Sequence, residues 1–112
     1  MRLPNADQAQ IDPEKLHGYL LSESHPVGRF KARFFAALGY TAARWQDFEA
    51  DLRAQHLAQE ATMSASMPDG RLFTIRAILN GPNGQSAVVL SVWFVTAGAA
   101  PRFVTAYPGG VK

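Results

Sequence analysis

Cysteine is absent from the chain. Its absence excludes a thiol nucleophile, a disulfide framework and every cysteine-based zinc site. Long apolar runs are missing too: nothing reaches the roughly 18 residues of a membrane-spanning helix. The opening MRLPNADQAQIDP has no apolar stretch of the signal-peptide kind, so a cytoplasmic protein is expected. His17, His25 and His56 stand far apart without clustered acids, a poor basis for a metal site, and no cofactor is implied. There is no Walker-type phosphate loop, no glycine fingerprint for a dinucleotide and no nucleophile elbow.

Acids are missing from one end of the chain. Residues 1–69 carry seven Lys or Arg and nine Asp or Glu, whereas residues 70–112 carry Arg71, Arg76, Arg102 and Lys112 and no acid. A polyanion could rest against such a half without repulsion. Ordinary solvation by four charges is the plainer reading.

What is present is a globular composition: 112 residues, 47% hydrophobic and 18% charged, which predicts one domain over 1–112 with a single core. A helical part spans about 12–60. Asp12-Pro13-Glu14 reads as N-cap, first-turn proline and first-turn acid, with Leu16, Tyr19 and Leu20 at core spacing. His25-Pro26 breaks that helix. A second helix runs from near Gly28 to Gly39. A third, capped by Thr41, carries Trp45, Phe48 and Leu52 on one side and a Glu49–Arg53 pair on the other. A β-meander follows over about 62–107, with strands at 62–67, 71–79, 86–96 and 102–107 and short Gly/Pro-bearing turns between them. The predicted fold is α+β, three N-terminal helices packed on one face of a four-stranded antiparallel sheet. Pro108-Gly109-Gly110 is expected to fray.

Pairing Leu79 with Ser86 predicts a core face of Phe73, Ile75, Ala77 and Leu79 beside Val88, Leu90, Val92 and Phe94. A three-residue turn at 68–70 adds Met63, Ala65 and Met67 to it. The opposite face then gathers Thr74, Arg76, Ser91, Trp93, Thr105 and Tyr107, with Thr105 opposite Trp93 and Tyr107 opposite Ser91. Hydroxyls and an arginine are what the wet side of any open sheet is made of. The same set also offers a guanidinium for phosphate, hydroxyls for hydrogen bonds and rings on which a base stacks.

On the second helix, at about 100° per residue, Lys31 falls between Leu38 and Phe35, inside the apolar stripe, while Arg29 and Arg33 fall opposite. A snorkelling lysine is the common reason for such a placement. The other is an ammonium at the edge of a site, aimed at a phosphate. His25, six residues earlier, would stand near the mouth of that site. His17 and His56 read as packing residues. An inventory of His, Lys, Arg, Thr, Ser and Tyr without paired acids suffices for RNA cleavage through the substrate's own 2′-hydroxyl, which asks only for a base, an acid and cations around phosphate.

The stretches YLLSESHPVGRFKARFFAALGYT and VLSVWFVTAGAAPRFVTAYP resemble a small bacterial family treated as a domain of unknown function. Similar segments form C-terminal toxin domains of contact-dependent growth inhibition proteins and other polymorphic toxins, grouped with barnase/EndoU/colicin/RelE-like (BECR-like) ribonucleases. The resemblance rests on His25, Pro26, Gly28, Lys31, Ala32 and Phe35, and on the ending that begins at Trp93. It implies RNA, tRNA among the candidates, as substrate and an antitoxin or immunity protein as partner. By position, His25 and Lys31 match its first motif and Trp93, Arg102, Thr105 and Tyr107 its last; taken with the sheet-face reading, His25, Lys31, Thr105 and Tyr107 are the expected catalytic residues, and Arg76, Thr74, Ser91, Trp93 and Arg102 the expected substrate-binding ones. One departure is Phe30, where relatives often carry histidine; it favours the alternative, a non-catalytic interaction module of a toxin–antitoxin or immunity pair. That module would bind through the exposed strand edges and the Trp93/Tyr107 face.

Overall fold

A computed structural model describes residues 1–109. The predicted α+β architecture is the one observed. Helix α1 occupies residues 13–20, a turn Pro13–Lys15 continued by Leu16–Leu20. Helix α2 is Gly28–Ala36, and α3 covers residues 42–56 as Ala42–Arg44, Trp45–Asp51 and Leu52–His56. Strands β1 (Thr62–Met67), β2 (Gly70–Asn80), β3 (Ser86–Val95) and β4 (Arg102–Pro108) form one antiparallel sheet in sequence order.

Local chemistry accounts for these starts and stops. Asp12 accepts the Glu14 N–H on its side chain at 3.0 Å, with Pro13 at the first helical position. Both α1 and α3 end in a widened turn, where the Leu21 N–H reaches the Leu16 carbonyl at 2.8 Å and the Leu57 N–H reaches Leu52 at 3.0 Å. Gly39, at φ 99°, ends the run after α2. The chain before α1 ties the two ends of the sheet together. The Ala61 N–H bonds to the Met1 carbonyl, and Gln10 exchanges bonds with Pro101 and Phe103 at 2.8 and 2.9 Å. The expected fraying at the C-terminus does not extend to Gly109, whose N–H donates to Val88 O at 2.8 Å; Gly110 lies outside the described residues.

The core lies between the helices and one face of the sheet. Phe34, Phe35, Phe48 and Tyr40 meet edge to face at 4.9–5.1 Å between centroids. The Tyr40 hydroxyl donates to Asp51 at 2.6 Å; burial, then this carboxylate, push its pKa far up.

One strand departs from expectation. Asn80, not Leu79, pairs with Ser86, across a loop of residues 81–85 closed by the Gly81 N–H on the Gln85 carbonyl at 2.8 Å. This shift of one residue turns β3 over. Ser91 and Trp93, expected on the open face, are wholly buried beside Ile75 and Phe73, and Val88, Leu90, Val92 and Phe94 face outward. Hydrogen bonds explain why a serine sits in the core. Trp93 Nε1–H donates to Ser91 Oγ at 2.9 Å, and Ser91 Oγ–H to His56 Nδ1 at 2.8 Å. His56 Nε2–H then donates to the Ala77 carbonyl at 3.2 Å. Every polar group in this chain is satisfied by one assignment of protons.

Strand β1 corrects a second expectation. Met67 pairs with Gly70 across Pro68-Asp69, and a bulge separates Met63 from Ala65, so Met63 and Met67 are 51% and 38% exposed instead of inside.

Burial holds the His56 imidazole below its usual 6.5, an effect the Ala77 carbonyl partly opposes. The unfolded chain therefore binds the proton first as pH falls. The stability that neutral His56 carries is complete above about pH 6.5 and drains away below it, by at most about 1.4 kcal/mol per pH unit. Denaturant unfolding from about pH 7.5 to pH 5 should show the advantage of wild type over His56→Gln shrinking with acidity. Parallel curves for the two proteins would contradict this account.

Candidate functional site

The segment joining α1 to α2, Ser22-Glu23-Ser24-His25-Pro26-Val27, is built from side chains that accept backbone N–H groups. Ser22 Oγ accepts from Ser24 and His25 at 3.3 and 3.2 Å. His25 Nδ1 accepts from Val27 at 3.0 Å and Gly28 at 2.9 Å. The His25 carbonyl takes the Arg29 N–H at 3.1 Å. His25-Pro26 thus starts α2 as Asp12-Pro13 starts α1, with the imidazole doing the work of an Asp side chain. At Gly28 the two helices touch: a Cβ there would be driven into the Tyr19 carbonyl oxygen.

Three turns of chain and one strand then converge at the β4 edge. The Lys31 ammonium donates to the Tyr19 hydroxyl at 2.8 Å and to Thr105 Oγ1 at 3.2 Å. It lies 5.1 Å from the Tyr19 ring centroid and 5.6 Å from that of Tyr107. The His25 ring meets Tyr19 edge-on at 5.0 Å. None of the ion pairs among the described residues involves Lys31. Its charge is balanced by oxygen dipoles and ring faces instead of a carboxylate.

That cation acts on its neighbour. The hydrogen bond from Lys31 lowers the Tyr19 phenol below its ordinary 10.0; burial opposes this, and the Thr105 hydroxyl and the charges of Lys31 and Lys15 reinforce it. Tyr19, His25 and Thr105 open onto a cleft of about 610 Å³, which Lys15, Val104, Asp12 and Glu14 complete. Two of these are carboxylates: Asp12 accepts the Glu14 N–H at 3.0 Å, and Glu14 Oε2 lies 3.7 Å from His17 Nε2.

The sequence matches the DUF6883 family, a domain of unknown function, over residues 2–110. The chain belongs to that family. No curated protein shows significant sequence similarity to it. Among solved structures, this DUF6883 domain is similar to a chain of a contact-dependent growth inhibition toxin–immunity protein complex from Klebsiella pneumoniae 342. The TM-score is 0.61 at 19% identity, covering 88% of this chain and 97% of that one. At such identity the likeness is one of fold.

Of the residues singled out from sequence, the DUF6883 fold brings His25, Lys31, Thr105 and Tyr107 to one place. Thr74 and Arg76 do share the open face with Thr105 and Tyr107, but Val92 and Leu90 stand between them, where Trp93 and Ser91 were expected. Arg76 Nε donates to the Gly109 carbonyl at 2.7 Å. Arg102 lies at the far end of β4, its guanidinium 5.9 Å from the Phe94 ring. Ser91 and Trp93 have no exposed surface and can offer a ligand neither a hydroxyl nor a ring face. Phe30, the departure noted in the sequence, is 63% exposed. Tyr19 is the member that sequence reasoning missed, since its spacing with Leu16 and Leu20 reads as core. No local signal distinguishes it; only the contact with Lys31 does.

A spectrophotometric titration of the phenols should find one tyrosine ionising below the ordinary value of 10.0. Tyr19→Phe should abolish that early step, and Lys31→Met should move it upward, because removing a nearby cation destabilises the phenolate. An early step that survives Tyr19→Phe would assign it elsewhere.

Proposed function

We propose that this DUF6883 domain is a ribonuclease-type toxin domain, acting on RNA without a metal by attack of the substrate's own 2′-hydroxyl. The observation that carries the reading is the Lys31 ammonium, held 2.8 Å from a phenol and 3.2 Å from a hydroxyl with no carboxylate partner among the described residues. A cation without a carboxylate partner, hydrogen-bonded to two residues that line the cleft, suits a phosphate oxygen brought against them, and it stabilises the charge that builds on phosphorus oxygens as the bond is made. Tyr19, ionised to the phenolate that the same cation favours, takes the proton from the 2′-hydroxyl. That oxygen attacks phosphorus, and the departing 5′-oxygen leaves with the proton of Tyr107. Thr105 holds the ammonium in place. The likeness to a toxin–immunity complex supports the toxin context.

A second reading, a protein-binding module without catalysis, has one observation in its favour. The outward face of β3 and the end of β2 is apolar: Ile78 is 57% exposed, and half-buried Val88, Leu90, Val92 and Phe94 lie on the same face with no element covering them among the described residues. An immunity-type partner would cover such a face.

Purified protein incubated with tRNA or total RNA in the presence of chelator separates the two. Wild type should cleave RNA to cyclic-phosphate ends. Lys31→Ala and Tyr19→Phe should each be slower by roughly a hundredfold, the range spanned by one acid–base or charge-stabilising group. Intact RNA after exposure to micromolar folded protein would leave the binding module as the surviving reading.

A further inference from the structure

We infer that His25 is a positioning residue, the N-cap of α2, and not the histidine of an acid–base pair. The inference rests on the ribonuclease reading only where activity is the readout; the structural part stands without it.

Nδ1 of His25 accepts two backbone N–H groups, from the second and third residues after it, at 3.0 and 2.9 Å. Its carbonyl accepts the Arg29 N–H at 3.1 Å, the first bond of the helix proper. This is the geometry by which Ser, Thr, Asn and Asp cap helices. No other cap is in view: Val27 has no polar side-chain atom, and the first turn of α2 contains no acid. It contains Arg29 and Lys31 instead, cations at the end of a helix whose own dipole is positive. Among the described residues, a neutral acceptor is therefore the only side-chain cap that this end receives.

The ring's tautomer follows. With the Nδ1 lone pair committed to two donors, the ring hydrogen resides on Nε2. Nε2–H can donate a hydrogen bond but has no lone pair with which to abstract a proton. Accepting a proton at Nδ1 would remove the cap and place a full positive charge at the wrong end of the helix. The same ring packs edge-on against Tyr19 at 5.0 Å, and Gly28, one of the two capped residues, abuts the Tyr19 carbonyl. His25 therefore sets where α2 begins relative to α1, and through that the meeting of Lys31 with Tyr19.

The experiment compares His25→Asn with His25→Ala in the full chain. The amide oxygen of asparagine sits close to the place of Nδ1 and caps helices well, but it cannot titrate. Hydrogen exchange should show the Val27 and Gly28 amides protected in wild type and in His25→Asn, and at least about tenfold less protected in His25→Ala. The early tyrosine ionisation should persist in Asn and move upward in Ala. RNA cleavage should fall by less than about threefold in Asn and by more than about tenfold in Ala. Nitrogen shifts of the wild-type ring should show hydrogen on Nε2. If His25→Asn keeps the protected amides yet is as inactive as Ala, His25 acts chemically and the assignment is wrong. If Ala retains full protection, there is no cap to lose. Should wild type leave RNA intact, the ribonuclease reading falls, while exchange and phenol titration still decide the role of His25.

Discussion

Much of the molecule depends on a buried line of hydrogen bonds from Trp93 through Ser91 and His56 to the Ala77 carbonyl. Without it β3 would have little reason to prefer one face. Ser-Ala-Val-Val-Leu-Ser-Val-Trp-Phe-Val is apolar at both parities, so hydrophobicity alone leaves the register nearly degenerate. A buried indole N–H needs an acceptor, and a buried hydroxyl needs both a donor and an acceptor. Only with Ser91 inward, beneath the last turn of α3, are all three groups satisfied. A polar network thereby selects the packing that the apolar residues only permit.

The consequences reach β4. With Ser91 opposite Ala106 and Val92 opposite Thr105, a register shift at Val92/Trp93 lets Phe103 enter the core beside Trp93 while Thr105 and Tyr107 come to the strand's outer edge. There they meet α2. Lys31 spans the gap between the helical layer and the sheet, and its ammonium touches groups from α1 and from β4 at once. A snorkelling lysine would place its charge in water. This one ends among a phenol, a hydroxyl and two ring faces.

How α1 and α2 come to hold that cation is a matter of a few residues. Ser22 and His25 pass backbone N–H groups from one acceptor to the next along the connection. Gly28 lets the start of α2 close onto the Tyr19 carbonyl, which any side chain would prevent. The pattern of histidine, proline, glycine and lysine that drew attention as a possible set of reactive groups is thus in large part a way of starting one helix against another. Its chemical member, under the proposed reading, is the lysine.

The sequence by itself determined the kinds and limits of the elements: Asp12-Pro13, Gly39, Pro68-Asp69 and the loop after Asn80 act through their own backbone preferences, which need no partner. The α+β class and the strand order were legible too, since β2 and the helical stripe each have one clearly apolar side. Tertiary structure alone decided the orientation of β3, the burial of Trp93 and Ser91, the exposure of Met63 and Met67, and the place of Tyr19 beside Lys31. In each of these the local pattern was compatible with two faces, and the choice fell to the hydrogen-bonding demands of atoms far apart in the chain.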